Sequence, residues 1–187
     1  MHSLRVETYV LKILEREAHD LPEDEVVLLR LAAILHDVGR LELTDNHAQL
    51  GREIVHTWLQ NRPEVMHGIS DGERLLELIG DHSDKGKVET DFSKAVLKDA
   101  DTLDEIGAMS VFMALNWLDH ASPFFFHQLE RRLIEFELPF CEQQAGVLNT
   151  QGAREILEEK RAFIKAFIAQ LADELECDAF VEQIFDL

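Results

Sequence analysis

The sequence has few basic residues and very little cysteine. Its 187 residues include 18 Lys and Arg against 37 Asp and Glu, for a formal net charge of −19. Nucleic acid polymers are bound through clustered basic side chains, so this balance argues against a polymer-binding protein. The composition still allows a small phosphorylated partner, because a bound cation can supply positive charge locally. The two cysteines, Cys141 and Cys177, lie far apart and suit reduced thiols in a cytoplasmic protein.

Long apolar runs and strand patterns are also missing. Arg5, Glu7 and Lys12 interrupt the first residues, so we expect neither a secretion signal there nor a membrane span elsewhere. Apolar residues recur instead at helical spacing. The pattern predicts an all-α fold with helices at 3–19, 23–38, 46–60, 71–82, 91–119, 122–137 and 150–176.

Capping and turn residues refine these predictions. Ser70 and Glu73 have the spacing of a capping box at the start of helix 71–82. Gly107 is expected to bend helix 91–119, and two loops are expected at 61–72 and 138–149. A short tail helix is predicted around 180–185.

The stretch LHDVGR, residues 35–40, stands out from the rest of the chain. It follows an apolar run from Val26 to Leu35 that is expected to be buried. Gly39 is predicted to end that helix by adopting the left-handed conformation. His36 and Asp37 would lose hydration at the end of a buried helix, and a bound cation would compensate for that loss.

Further candidate ligands lie near the N-terminus and in the middle of the chain. His2 opens the segment HSLRV, and Asp101 lies in the segment KDADTL, residues 98–103. The order H-x-x-R-V, L-H-D-x-G-R and D-A-D-x-L-D resembles the HD-domain superfamily of metal-dependent phosphohydrolases. The resemblance implies a helical HD-domain bundle with a C-terminal helical extension. It also implies four metal ligands: His2, His36, Asp37 and Asp101.

Two more histidines fit the pattern of two-metal HD proteins. His47 begins the segment HAQLG, and His82 ends an apolar stretch, as the next ligands of such proteins do. The resemblance then implies that Asp37 bridges two ions and that His47 and His82 bind the second one. Imidazole and carboxylate together favour one or two divalent transition ions per chain (Mn, Fe, Ni, Co or Zn), although Mg is also compatible.

The resemblance implies a function as well. Residues 99–108 are similar to a bacterial subgroup that includes nucleotide pyrophosphohydrolases, although Thr102 and the stretch 138–148 depart from its pattern. We therefore expect a metal-dependent phosphohydrolase that attacks a small phosphorylated molecule, such as a nucleotide, with a metal-activated water. Asp37, Arg40 and Asp104 are the expected catalytic residues, with Asp104 supporting a ligand or accepting a proton. The expected substrate-binding residues are Arg40, Lys85, Lys87 and Lys98.

Two other functions use the same residues. HD sites with two irons catalyse oxygen-dependent oxidation, and some HD modules bind or scaffold without catalysis. We expect one globular unit made of an HD domain at 1–120 and C-terminal helices at 121–187 that pack on it. The aromatic run Phe124–Phe126 is expected to belong either to the core or to a homodimer surface, rather than to a ligand site.

Overall fold

A computed structural model describes residues 1–42, 45–84 and 88–176. The chain forms two compact units. The first unit holds residues 1–104 and 147–156, and the second holds residues 105–146 and the described residues from 157. Every regular element in the described ranges is a helix, which confirms the predicted all-α class.

The first unit contains most of the helices. In chain order they are α1 (His2–Leu14), α2 (Glu23–Leu35), a 3₁₀ turn (Val38–Leu41), α3 (His47–Gln60), α4 (Pro63–Met66), α5 (Gly72–Asp81) and α6 (Phe92–Asp104). Helix α6 packs against α1, α2 and α5 and is buried along almost its whole length, from Ser93 to Asp104. A helix with that many covered positions must bury its polar residues too, which places Asp99, Asp101 and Asp104 inside the unit.

Apolar faces at helical spacing explain why these helices assemble. Val6, Val10 and Ile13 form one face of α1 and are completely buried. Leu75 and Leu78 occupy the corresponding face of α5 and are also completely buried. Burial of such faces is the main favourable contribution to the stability of the unit.

The second unit is built from shorter helices. They are α7 (Ala108–Ala114), a 3₁₀ turn (Leu115–Trp117), α8 (Phe125–Arg132), a π-helical turn (Leu133–Glu137) and α9 (Leu138–Gln144). Helix α10 (Gln151–Leu175) begins in the first unit and ends in the second. The core of the second unit contains Val111, Ala114, Leu129 and Leu133, with Phe167 packed against them.

Several predicted helix boundaries are wrong. Helix α1 ends at Leu14 rather than at residue 19, and the predicted helix 91–119 is divided into α6 and α7. Gly107 explains the division, because its φ of +87° is incompatible with a continuous right-handed helix. The predicted loops 61–72 and 138–149 contain α4 and α9, respectively. The predicted tail helix lies outside the described residues.

Two predicted local roles are also wrong. Asp71, rather than Ser70, caps α5, and its Oδ1 accepts a hydrogen bond of 2.9 Å from the backbone N–H of Arg74. Gly39 does not adopt the left-handed conformation. It is needed because the chain passes very close to α3, where a Cβ atom at this position would lie 2.1 Å from the carbonyl oxygen of His47.

Candidate metal centre

Helices α1, α2 and α6 bring three candidate ligands together. The Nε2 atom of His2 lies 3.2 Å from the Nε2 atom of His36 and 3.2 Å from Oδ1 of Asp101. The Nε2 atom of His36 lies 3.5 Å from the same Asp101 oxygen. We call these three residues the His2 side. His36 and Asp101 are buried, whereas about a third of the His2 side chain is exposed.

Helices α3 and α5 bring two further histidines to the same place. The Nε2 atoms of His47 and His82 lie 3.2 Å apart, and both rings are buried. They lie 3.4 Å and 3.6 Å, respectively, from Oδ1 of Asp37. We call these two residues the His47 side.

Asp37 lies between the two sides. Its Oδ1 faces His47 and His82, while its Oδ2 lies 3.5 Å from Nε2 of His2. Oδ1 also lies 3.7 Å from Nε2 of His36, so this carboxylate adjoins all four histidines and could serve two cations. The six predicted ligands therefore form one group, which we call the His/Asp cluster: His2, His36, Asp37, His47, His82 and Asp101.

The hydrogen bonds of the rings define which nitrogens face the cluster. The Nδ1 atoms of His36 and His82 lie 2.8 Å and 2.7 Å from the carbonyl oxygens of Ala33 and Ile79. A carbonyl oxygen only accepts hydrogen bonds, so both Nδ1 atoms must carry the proton. In the neutral rings the lone pairs are then on Nε2, directed into the cluster, where a cation can bind them.

The His2 ring is oriented in the same way by a carboxylate. Its Nδ1 lies 2.7 Å from Oδ2 of Asp104, a side chain that is almost completely buried. A carboxylate that accepts the Nδ1–H bond of a metal-binding histidine is a common support for such ligands.

The separations and donor types fit a transition-metal ion. Ligand atoms at about 2.1 Å from a common ion lie about 3.0–3.4 Å apart, depending on the coordination geometry. Within the His2 side the separations are 3.2–3.5 Å, and among Asp37, His47 and His82 they are 3.2–3.6 Å. Buried imidazoles and carboxylates at this spacing are suited to Mn, Fe, Co, Ni or Zn.

The electrostatics of the cluster follow from its crowded charges. Burial acts to raise the pKa of the Asp37 carboxyl, but the adjoining His82 imidazole and the Arg40 guanidinium outweigh it and hold that pKa well below its ordinary value. Hydrogen bonds to Asp101 and then Asp104 raise the pKa of His2 to about 9. The two carboxylates therefore favour a positively charged His2 ring when no metal is bound.

The other predicted site residues lie in different surroundings. Arg40 is half-exposed beside the cluster, and its Nε donates a hydrogen bond of 2.7 Å to Oδ1 of Asp37. Lys98 is buried, and its ammonium donates to Glu89 at 2.7 Å. Thr102 is buried and donates to the carbonyl oxygen of Lys98. Lys85 and Lys87 lie outside the described residues.

The sequence predicted no role for Arg5, which supports the site, or for Asp99, which joins α6 to residues 149–150. Arg5 donates to both oxygens of Asp104. It lies three positions after His2 on α1, and this spacing could have indicated that the two side chains share a helix face. Asp99, two residues before Asp101, accepts hydrogen bonds from the backbone and side chains of Asn149 and Thr150. Burial raises the pKa of Asp99 despite these bonds. No local signal in the sequence connects residue 99 with residues 149–150.

An all-helical unit with this His/Asp cluster defines a class of metal-dependent enzymes, and comparison with known proteins agrees. The model of the HD domain family matches residues 1–106, so the chain belongs to that family. This membership supports a metal-dependent hydrolase. No curated protein matches the sequence significantly.

Solved structures share the fold at low sequence identity. The structure of Bacillus subtilis YpgQ in complex with ADP is 24% identical, with a TM-score of 0.61, and the match covers 93% of this chain and 87% of that one. An HD-superfamily hydrolase from Bacillus thuringiensis is 21% identical, with a TM-score of 0.61 and coverage of 94% and 85%, respectively. An HD superfamily hydrolase from an uncultured Thermotogales bacterium is 20% identical, with a TM-score of 0.59 and coverage of 92% and 79%. Among the described helices, none is long and apolar enough to cross a membrane.

Proposed function

We propose that this protein is a metal-dependent phosphohydrolase that acts on a small phosphorylated molecule, with nucleotides as the favoured substrate class. The observation that carries the proposal is the position of Asp37, whose carboxylate lies 3.4–3.7 Å from the Nε2 atoms of all four histidines of the cluster. The ADP bound to the structurally similar YpgQ supports a nucleotide.

Each residue of the cluster has a defined task in this proposal. His2, His36 and Asp101 would hold one cation, His47 and His82 would hold a second, and Asp37, which adjoins both sides, would serve both. Such ions, when bound, lower the pKa of water from ~15.7 towards ~7 and polarise a phosphoryl oxygen. The carbonyl oxygens of Ala33 and Ile79 keep the Nε2 lone pairs of His36 and His82 directed into the cluster, where they would be available to a cation.

Arg40 is the side chain that we assign to the substrate. Its guanidinium is half-exposed and adjoins Asp37, so it can reach an anion bound at the mouth of the cluster. A planar guanidinium matches two phosphate oxygens and remains charged at every physiological pH. Its positive charge would attract an anionic substrate to a protein whose net charge is strongly negative.

Metal analysis and a substrate panel test the proposal together. Protein purified without a metal-chelating tag is analysed for bound elements, and phosphate release is then followed with Mn²⁺ and a panel of nucleotides. We expect two transition ions per chain and metal-dependent turnover. In the His36→Ala variant both metal binding and turnover should be lost, whereas His56→Ala, which changes an exposed histidine of α3, should retain both.

Other outcomes would contradict the proposal in distinct ways. Hydrolysis that persists after all metal has been removed would overturn the mechanism. Two irons with oxygen consumption would indicate the oxidative chemistry of diiron HD proteins. Tight nucleotide binding without turnover, whichever metal is supplied, would indicate a binding module.

A further inference from the structure

Arg5 makes a two-point contact with a carboxylate that supports the cluster. Its Nε donates to Oδ1 of Asp104 at 2.7 Å, and its Nη2 donates to Oδ2 at 2.8 Å. A pair of parallel N–H···O bonds restricts rotation of the carboxylate much more than a single hydrogen bond does. Only about 3% of Asp104 is exposed, so Arg5 also compensates for a negative charge that has little access to water.

The same carboxylate orients His2. Oδ2 of Asp104 accepts both from Nη2 of Arg5 and from Nδ1 of His2, which lies 2.7 Å away. His2 and Arg5 are separated by three residues and so lie on one face of α1. Asp104 therefore connects both side chains of this first helical turn to α6.

His2 needs such a connection more than the other candidate ligands do. It is the first residue of α1, and the preceding Met1 is 91% exposed. The first turn of a helix lacks several intrahelical hydrogen bonds and tends to fray. His36, in contrast, is anchored at the end of a buried helix and has its ring completely covered.

We propose that Arg5 is a positioning residue that holds His2 in the cluster through Asp104 and thereby sets the cation affinity of the His2 side. The proposal rests on the proposed function, because it assumes that the His/Asp cluster binds cations. Arg5 would contact neither the cations nor the substrate and would act only through Asp104. Without Arg5, Asp104 can rotate away from Nδ1 of His2, and the first turn of α1 then releases the ring.

Matched arginine variants test this role. Arg5→Ala removes both contacts to Asp104, and Arg5→Lys retains the charge without the two-point geometry. Arg30→Ala is the control, because Arg30 also joins α2 to a carboxylate of α1, with its Nε 2.6 Å from Oε1 of Glu7. The control removes a comparable pair that does not contact the cluster.

Two measurements are made on each variant. Calorimetric titration of the metal-free protein with Zn²⁺ gives the number and affinity of bound ions. We expect Arg5→Ala to weaken one ion by about 10–100-fold and to leave the other unchanged, as the loss of residues that support metal ligands usually does. Arg5→Lys should restore part of this loss, and Arg30→Ala should bind both ions like the wild type.

Nuclear magnetic resonance of the imidazole groups supplies a readout that does not depend on metal. In the wild type the Nδ1–H proton of His2 is held by Asp104, so its signal should exchange slowly with water, and in Arg5→Ala it should be lost by fast exchange. Wild-type zinc affinities together with an unchanged His2 signal in Arg5→Ala would overturn the positioning role. A wild type that binds no cation would overturn the proposed function, while the His2 signal would still decide whether Arg5 holds the ring.

Discussion

The two sides of the His/Asp cluster are supported in different ways. On the His47 side, both rings are buried, and His82 is oriented by the backbone carbonyl of Ile79. On the His2 side, the ring at the helix end is oriented by a side chain, Asp104, which is itself held by Arg5. Backbone support, which His36 on the His2 side also has from Ala33, is built into the helix, whereas the side-chain support of His2 is lost when either Asp104 or Arg5 is removed. The difference predicts that distant substitutions will affect the His2 side more than the His47 side.

Removal of Asp37 should impair cation binding on the His2 side and the His47 side alike, because this residue adjoins both sides. In Asp37→Ala we expect loss of both cations and a fall in the turnover rate of about a thousandfold or more, since metal ions contribute several kcal/mol to transition-state stabilisation. Elemental analysis and phosphate release measure the two effects.

A carboxylate outside the cluster provides the control for Asp37→Ala. Asp71→Ala removes the cap of α5 and should lower the free energy of unfolding by about 1 kcal/mol without changing metal content. Retention of two ions in Asp37→Ala would show that Asp37 does not connect the sides.

A substitution at Gly39 should affect the His47 side selectively. In Gly39→Ala the added Cβ would meet the carbonyl oxygen of His47 at 2.1 Å and the backbone nitrogen of Gly51 at 2.7 Å, so α3 must move. We expect destabilisation of about 1–3 kcal/mol, as for other overpacked sites, and weaker binding of one cation. Urea denaturation and zinc titration measure the two quantities.

Gly68→Ala is the matched control for this substitution. At Gly68 the nearest atom to an added Cβ is 3.4 Å away, which is an ordinary contact. Zinc binding that is equally strong in Gly39→Ala and Gly68→Ala would contradict a role for Gly39 in placing His47.

The smallest expected effect is a pH dependence of the His2 side in the metal-free protein. The pKa of His2 is raised from its ordinary 6.5 to about 9, first by Asp101 and then by Asp104. A group whose pKa is raised by folding binds its proton more tightly in the native state, so its stabilisation is complete below pH 6.5 and is lost as the pH rises through about 9.

Urea denaturation across this pH range checks the expectation. The midpoint should fall between pH 6.5 and 9 in the wild type, and the fall should be smaller in His2→Gln. Zinc affinity should rise over the same range, because the ion must displace the proton from Nε2. An equal fall in both proteins would assign the pH dependence to other groups.

Much of the fold was predictable because helices are local structures. Periodic apolar residues predicted the all-α class, and the starts of α2, α3 and α6 were predicted within one residue. The errors occurred at helix boundaries, where one residue decides the outcome. Gly107, which was expected only to bend its helix, divides it, and Asp71 forms the cap that was expected of Ser70.

The candidate site was predictable as a list of residues and not as an arrangement. The order of His2, His36, Asp37, His47, His82 and Asp101 identified the set by resemblance, and the structure brings all six together. The assignment of Lys98 to the substrate stays a prediction, because its ammonium contacts Glu89 in the structure. Such a pairing depends on how α6 meets the segment that precedes it, which the periodicity of α6 does not encode.

The sequence by itself determined that this chain forms helices and that it carries imidazoles and carboxylates within or just after apolar stretches. Only the tertiary structure decided which oxygen of Asp37 faces which histidine, that Arg5 reaches Asp104, and that Gly39 must lack a side chain for α3 to approach. The physical reason is distance along the chain. Helix formation depends on residues three or four apart, whereas these contacts join helices far apart in sequence and form only when their buried faces pack.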